Sequence, residues 1–339
     1  MPKLKHLVFS GGSTNVLGFL GFLKFLSENN LLDNIESYTG TSAGAILSYF
    51  LSIGFTWLEI YQFNKFFDHK KVIDFDLTNF IQNYGFCTID KFTHFLIKMS
   101  EYKNIDPKIT FKEHYELTKI KVTLTGSCIN DSCIEFFNYE TSPDMEIIQA
   151  LRISCCIPFI FSPIIYKNKI YLDGGIFLNY PMEYNDHQLD ETLGMRTKDD
   201  CVNKCHVDVS SLTSYMSAVL KCVINGDAKK ITDKYEKYTL NYSFEMGVLV
   251  QNTITVEEID EMLEKCYKEV HNQIYKVNRF FENNVEPKIN ENIDDINLDS
   301  EKIESLAKDI VNSTEEIYDF DSESKIDSFV SNDESSVNS

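Results

Sequence analysis

Three glycine-rich segments carry the residues of this sequence that could do chemistry. The most specific is segment 40–44, which reads Gly-Thr-Ser-Ala-Gly and matches the pattern G-x-S-x-G. In that pattern a sharp turn between a strand and a helix presents a serine hydroxyl, and the flanking glycines, here Gly40 and Gly44, remove side chains that would clash. The helix dipole at such a turn favours developing negative charge. Ser42 is therefore the predicted nucleophile, with a plain glycine turn before a core helix as the alternative.

A second segment, residues 10–15, reads Ser-Gly-Gly-Ser-Thr-Asn and follows the first predicted strand. Backbone amides in such a turn at a helix start suit an oxyanion or a phosphate. We expect the amides of Gly11, Gly12 and Ser13 to have this role, with a simple tight connection as the alternative. Nucleotide binding is disfavoured because the segment matches neither G-x-G-x-x-G nor G-x-x-x-x-G-K-S/T.

The third segment places Asp173 before Gly174 and Gly175, directly after a short predicted strand. Its carboxylate is a candidate proton acceptor for the serine, although Asp-Gly pairs also form ordinary turns. None of the seven histidines lies in a glycine-flanked turn, so no histidine stands out as a general base. A triad would draw its base from the histidines that follow Asp173, which are His187, His206 and His271.

Hydrophobic periodicity predicts the elements that must position these residues. The predicted strands are 5–10, 35–38, 119–125, 133–138 and 169–172, and the predicted helices are 16–26, 45–53, 55–67, 89–101, 145–154, 210–223 and 256–280. The repeated order of strand, glycine turn and helix is typical of a parallel sheet in an α/β fold. Each glycine cluster follows a predicted strand, where α/β folds place their sites.

Taken together, the three segments resemble those of the patatin-like phospholipases, which are serine acyl hydrolases with a Ser–Asp dyad. The family shows a glycine-rich turn after the first strand, then G-x-S-x-G, then D-G-G/A much later in the chain. Further stretches at 110–111, 150–158 and 179–181 also look familiar, and the resemblance covers about residues 4–280. It implies a three-layer α/β sandwich with a mostly parallel central sheet, and a catalytic domain at 4–282.

The resemblance also implies a role for each segment. Ser42 is implied as the nucleophile, Asp173 as its activating base, and the amides of Gly11, Gly12 and Ser13 as the oxyanion hole. The implied reaction is hydrolysis of a phospholipid or other acyl ester through an acyl-enzyme, with no cofactor and no metal. Because an ordinary carboxylate is a weak base toward serine, we expect a partly desolvated site.

The first segment departs from the family pattern G-G-G-x-K/R-G. Ser13 replaces the third glycine, Asn15 stands where a basic residue is expected, and Val16 replaces the last glycine. A serine or a β-branched valine would be strained if either position required a positive φ. We therefore keep three alternatives: a catalytically weakened protein that binds lipid or a protein partner, an acyltransferase, and an α/β-hydrolase with a Ser-His-Asp triad.

The charge balance restricts the partners of this chain. It has 52 acidic and 32 basic residues and a net charge of −20, which argues against nucleic-acid binding and against capture by strongly anionic membranes. Residues 291–339 contain fifteen acidic residues and three lysines. This composition predicts that the tail, residues 288–339, is disordered. The oligomeric state is not predicted.

Cysteine usage and apolar runs bear on location. The nine cysteines are scattered, no signal peptide opens the chain, and no apolar run is long enough to span a bilayer, so we expect a cytoplasmic protein with peripheral membrane contact at most. Cys201, Cys205 and His206 are close in sequence, but only Cys222 and Cys266 are loose candidates to complete a zinc site, so we expect no metal. The apolar stretch 158–165 and three phenylalanines are either core or an interfacial surface: Phe63, Phe66 and Phe67.

Overall fold

The computed structural model describes residues 2–69, 76–198, 215–216, 218–220, 222–223, 233–243, 254–281 and 300–314. Its strands are β1 (His6–Phe9), β2 (Ser37–Gly40), β3 (Gly85–Cys87), β4 (Lys121–Cys128), β5 (Cys133–Phe137), β6 (Phe159–Phe161), β7 (Ile164–Tyr166), β8 (Lys169–Asp173), β9 (Thr192–Lys198) and β10 (Thr239–Ser243). Its α-helices are α1 (Phe19–Glu28), α2 (Ala43–Ser52), α3 (Trp57–Phe66), α4 (Leu77–Asn83), α5 (Asp90–Tyr102), α6 (Phe111–Thr118), α7 (Ile147–Ser154), α8 (Asp233–Glu236), α9 (Val256–Asn272) and α10 (Ser300–Thr314).

Eight of these strands form the central sheet in the order β10-β9-β1-β2-β4-β8-β7, with β5 also paired to β4. The five strands β10, β9, β1, β2 and β4 are parallel, whereas β5 and β8 run antiparallel to β4. Strands β3 and β6 form a separate parallel pair. The predicted fold class, α/β with a mostly parallel central sheet flanked by helices, is confirmed.

The core forms where apolar helices cover the sheet. All four residues of β1 are buried, and α1 buries phenylalanines and leucines around most of its circumference. Gly21 of α1 permits close approach of α9, since a Cβ there would lie 2.7 Å from the Tyr267 amide nitrogen. Three helices, α3, α6 and α9, begin with a Thr–Glu capping box that satisfies amides of their first turn.

Most predicted elements are present, with ends shifted by a few residues. The predicted helix 210–223 falls largely outside the described residues, and its described residues are helical. The predicted elements do not include helices α4, α6 and α8 or strands β3, β6, β7, β9 and β10. In β9 and β10 the buried residues include polar ones, such as Thr192 and Thr239. Among the described residues, none of the helices is long and apolar enough to cross a membrane.

One part of the acidic tail differs from the prediction of disorder. Residues 300–314 form α10, which packs on α3 and α5. Ile303, Ala307 and Ile310 recur at helical spacing and are buried, so they form an apolar stripe that the average composition hides. The prediction is therefore wrong for α10, and the rest of 288–339 lies outside the described residues.

Candidate active site

The pairing of β4 brings two of the predicted site residues together. Strand β5 occupies one edge of β4, and β2 and β8 follow each other along the opposite edge, in opposite directions. The carboxyl ends of β2 and β8 therefore meet. Gly40 is opposite Leu124 and Asp173 is opposite Gly126, which separates the two strand ends by about 7 Å along β4. Ser42 follows β2 by two residues, and Asp173 ends β8.

Ser42 lies at the start of α2 in a strained backbone conformation, with φ 54° and ψ −126°. Its amide donates a hydrogen bond to Ser154 Oγ at 3.0 Å, and its side chain is almost fully buried. A Cβ added at Gly44 would lie 2.5 Å from the Ser10 carbonyl oxygen, and one at Gly40 would meet the Gly44 carbonyl. This is the strand–turn–helix geometry that the G-x-S-x-G pattern predicts.

Asp173 carries its carboxyl group into the protein interior beside this turn. Burial raises the pKa of Asp173 to about 7, against the opposing effects of the Ser42 hydroxyl and the Gly175 amide. The Gly175 amide donates to Oδ1 at 2.7 Å, whereas Oδ2 has no hydrogen-bond partner within the described part of the chain. A Cβ at Gly174 would collide with Thr125, so the turn after Asp173 needs glycine. Oδ2 is thus the free acceptor, on a carboxyl group that interacts with Ser42.

The glycine loop after β1 lies next to Ser42, because β1 and β2 are parallel neighbours. A Cβ on Gly11 would lie 3.3 Å from Ser42 Cβ. The Gly11 amide, however, donates to the Asn179 carbonyl at 2.9 Å. In the described structure no acceptor is assigned to the amides of Gly12 and Ser13. Of the three predicted oxyanion amides, two are therefore available in this arrangement and one is engaged.

The replaced residues of the loop behave differently from each other. Ser13 has φ 51°, so the position of the missing third glycine does require a left-handed backbone. Val16 lies within the short 3-10 helix Ser13–Gly18 and is not among the positive-φ residues. Asn15 donates its amide to the Gly12 carbonyl, and its buried Oδ1 is without a partner among the described residues. The strain foreseen for this loop is thus confined to Ser13.

Three residues that support the site were given no role from the sequence. Asn179 accepts from the Gly11 amide, and its Oδ1 packs between Gly11 and Gly175. Thr197 donates its hydroxyl to the Gly11 carbonyl at 3.0 Å and its amide to Ser10 Oγ at 3.1 Å. Ser154 Oγ accepts from the amide of Ser42, the predicted nucleophile. The familiar stretch at 179–181 signalled the first, but Thr197 lies in a strand that the periodicity did not predict.

The described histidines lie elsewhere. His6 bonds Ser37, His94 bonds Ser313, His114 bonds Ser52, His69 and His271 pack on aromatic rings, and His187 is exposed. None of these six is among the groups that shift the pKa of Asp173. His206, together with Cys201 and Cys205, lies outside the described residues.

One described cluster has ligand types suited to a metal, namely Cys128, Asp131 and Glu135. Lys169 Nζ lies 2.7 Å from Asp131 and 3.0 Å from Glu135, so one ammonium group already forms ion pairs with both carboxylates. Of the loose zinc candidates, Cys222 is exposed and Cys266 is buried against α1. These contacts give no support to a metal centre at these residues.

The fold and the site define a class of α/β protein that presents a serine in a strand-to-helix turn beside a buried carboxyl group. The family model described as patatin-like phospholipase matches residues 7–186, which is more than half of the chain. The chain belongs to the patatin-like phospholipase family.

Individual relatives agree with this assignment. The chain is 37% identical over 187 residues to "Probable lipid hydrolase 463L" of Invertebrate iridescent virus 6, covering 54% of this chain but only 63% of that protein. It is 26% identical over 287 residues to "Uncharacterized protein R571" of Acanthamoeba polyphaga mimivirus, covering 81% and 95%. The crystal structure of VipD from Legionella pneumophila shares the fold, with a TM-score of 0.59 and 15% identity over 80% of this chain and 67% of that one.

Proposed function

We propose that this protein is a lipid acyl hydrolase of the phospholipase A type, with Ser42 as nucleophile and Asp173 as its base. The observation that carries the proposal is the buried Asp173 carboxyl group, whose Oδ2 is unpartnered among the described residues and which interacts with Ser42. Membership of the patatin-like family and the lipid-hydrolase name of the iridovirus relative support an acyl-ester substrate. The cytoplasmic location expected from the sequence stays a prediction.

In the proposed reaction, Ser42 Oγ bonds to the ester carbonyl carbon while its proton moves to Asp173 Oδ2. The carbonyl oxygen becomes an oxyanion, and the amides of Gly12 and Ser13 stabilise it, each by about 2.7–4 kcal/mol. The C–O bond to the alcohol then breaks, and the alcohol takes the proton from Asp173. Water repeats these steps on the acylated Ser42 and releases the fatty acid, which restores both side chains.

The first test compares hydrolysis by four versions of the full chain. The substrates are a soluble p-nitrophenyl ester and phosphatidylcholine vesicles. Ser42→Ala and Asp173→Asn should each lower kcat by about 1,000-fold or more. The two losses should be similar, because removing one member of a pair that acts as a unit costs nearly as much as removing both. Ser27→Ala, an exposed serine on α1, is the matched control and should keep full activity. Equal turnover by Ser42→Ala would exclude Ser42 as nucleophile, and fluorophosphonate labelling should disappear in that variant.

The second test addresses the remaining histidine. His206→Ala should retain activity within about tenfold, which corresponds to about 1.4 kcal/mol of barrier. A loss equal to that of Ser42→Ala would establish a triad instead. If the wild type hydrolyses neither substrate, the proposed phospholipase A activity is wrong, and the alternative of a catalytically weakened protein that binds lipid or a protein partner is favoured.

The pH dependence follows from the raised pKa of Asp173. The base must be deprotonated, so activity should fall as the pH decreases through about 7. A histidine base would give its lower limb in the same range, so the pH profile by itself does not separate dyad from triad. Stability tests the raised pKa itself: the folded pKa of about 7 lies above the ordinary value of 3.8, so the wild type loses stability as the pH rises from the lower value through about 7. Asp173→Asn should therefore raise the melting temperature more at pH 8, where the wild-type carboxylate is charged, than at pH 5. An equal change at both pH values would contradict the raised pKa of Asp173.

A further inference from the structure

Helix α4 is amphipathic, but its apolar stripe faces outward. Leu77, Ile81 and Tyr84 recur at i, i+4 and i+7 and are all strongly exposed, Ile81 at 71%. The opposite face anchors the helix, because Asn79 Nδ2 donates to the Gly85 carbonyl at 2.6 Å and Phe80 stacks on Phe86 at 4.3 Å. An apolar stripe that packs on nothing described is a candidate contact surface.

Segment 154–159 links this surface to the proposed active site. Ser154 accepts from the Ser42 amide, and the Cys156 carbonyl accepts from the Asp173 amide at 2.8 Å. Three residues further, Phe159 pairs with Gly85, the residue that follows Tyr84. Phe159 has φ 69° and an exposed side chain, so a strained backbone holds its ring at the surface.

The residue types of α4 indicate which kind of partner its exposed face would contact. Its sequence, Leu-Thr-Asn-Phe-Ile-Gln-Asn, contains no charged residue, and its N-cap, Asp76, is bonded to the Thr78 amide at 2.7 Å. A helix without charges can enter the interfacial region of a bilayer at low desolvation cost, and a tyrosine at its end suits the headgroup level. The net charge of −20 opposes anionic lipid surfaces.

We propose that α4 and Phe159 form the surface by which this protein docks on zwitterionic lipid bilayers, next to the active site. The biological purpose of this docking surface rests on the proposed function, because a lipid ester can reach Ser42 only when the protein is bound to the bilayer that contains it. Of the interfacial candidates considered from the sequence, Phe63 and Phe67 are buried in the core, and Phe66 is exposed at the end of α3. Phe159, from the stretch 158–165, belongs to the proposed surface.

The test measures co-sedimentation of the full chain with phosphatidylcholine vesicles. The variant is the double substitution Leu77→Gln, Ile81→Gln. The matched control is Leu117→Gln, because Leu117 is a helical leucine of 62% exposure against 63% for Leu77, and it lies on α6, before the amino end of β4. The double variant should bind vesicles at least tenfold more weakly than wild type, whereas Leu117→Gln should bind as wild type. Added phosphatidylserine should weaken binding at low salt.

Two further arms separate docking from catalysis. Ser42→Ala should sediment with vesicles as the wild type does, a result that does not depend on any hydrolysis. If the chain is a hydrolase, the double variant should lose vesicle hydrolysis at least tenfold more than hydrolysis of a soluble ester. Wild type that fails to bind phosphatidylcholine, equal binding by the double variant, or equal weakening by Leu117→Gln would overturn the proposal. So would a wild-type dimer that the double variant dissociates, since a second copy would then cover α4.

Discussion

The two strand-to-helix turns of the site, residues 40–44 and residues 10–13, depend on glycine in different ways. In the first, Cβ atoms on Gly40 and Gly44 would meet backbone: the Gly44 carbonyl in one case and the Ser10 and Phe9 carbonyls in the other. In the second, Cβ atoms on Gly11 and Gly12 would first meet side chains, those of Asn179 and Thr197. A backbone carbonyl in the packed sheet or helix cannot move away from an added Cβ, whereas the end of a side chain can rotate away from it.

In both turns, the glycines that the sequence retains are those at which a Cβ would lie within 3 Å of another atom. The G-x-S-x-G turn retains both glycines, whereas the glycine loop after β1 has Ser13 and Val16 where the family has glycine. Ser13 accepts a left-handed φ of 51° at a cost of about 1–2 kcal/mol, which a fold can offset elsewhere. In these two turns a close contact is thus a stricter requirement for glycine than a positive φ.

Among substitutions that test the glycine requirements of the two turns, the largest effect is expected for Gly40→Ala. Its Cβ would lie 2.5 Å from the Gly44 carbonyl carbon, so β2 and α2 would have to separate. Hydrolysis should fall by about 100-fold or more, since misplacement of a nucleophile by 1 Å has effects of this size. The matched control is Gly54→Ala, where φ is 87° but no atom lies within 4 Å. That variant should lower stability by about 1 kcal/mol with activity intact. Equal losses of activity would remove the distinction between contact and φ.

An intermediate effect is expected for Gly12→Ala. Its Cβ would lie 2.8 Å from Thr197 Oγ1 and 2.9 Å from Thr197 Cγ2, so the loop would shift by a few tenths of an ångström. We expect about a tenfold loss of kcat for Gly12→Ala and a similar loss for Thr197→Ala, which removes the bond to the Gly11 carbonyl. Because the two residues touch, the double variant should lose less than the product of both. Full additivity would show that the loss of kcat in Gly12→Ala does not arise from the contact between its Cβ and Thr197.

The smallest effect is expected for Ser13→Gly. Glycine relieves the left-handed backbone but adds entropy to the unfolded chain, so the two contributions nearly cancel. The melting temperature should change by no more than about 4 °C, or roughly 1 kcal/mol, and kcat should stay within about threefold. A tenfold loss of kcat would instead assign the Ser13 side chain a part in the reaction.

The sequence predicts the first two strand–turn–helix units well because each combines an apolar run with glycines at the turn. It does not predict β9. Thr192 of this strand is polar but buried, because its hydroxyl donates to the Gln188 carbonyl, and a pattern of apolar residues does not detect such a residue. It also does not predict α10, because three apolar residues in an acidic segment matter only once α3 and α5 are in place. Local pattern fails where burial depends on distant partners.

For the candidate site, the sequence predicts which residues take part but not how they are arranged in space. Ser42 and Asp173 follow from motifs, but only the pairing of β2 and β8 along one edge of β4 explains how they meet. The engagement of the Gly11 amide by Asn179 depends on a contact across the whole first half of the chain. The pKa of Asp173 depends on burial, which no spacing rule supplies.

The hydrogen bonds from Thr197 to the glycine loop after β1 have a consequence for biosynthesis. Ser10 and Thr197 are 187 residues apart, so β1 leaves the ribosome long before the strand that completes its pairing. Contacts of such long range form slowly, and a waiting apolar strand is prone to aggregate. The family match ends at residue 186, before β9 begins. A fragment cut at that boundary would contain Ser42 and Asp173 but would leave β1 as an open edge and its glycine loop without Thr197.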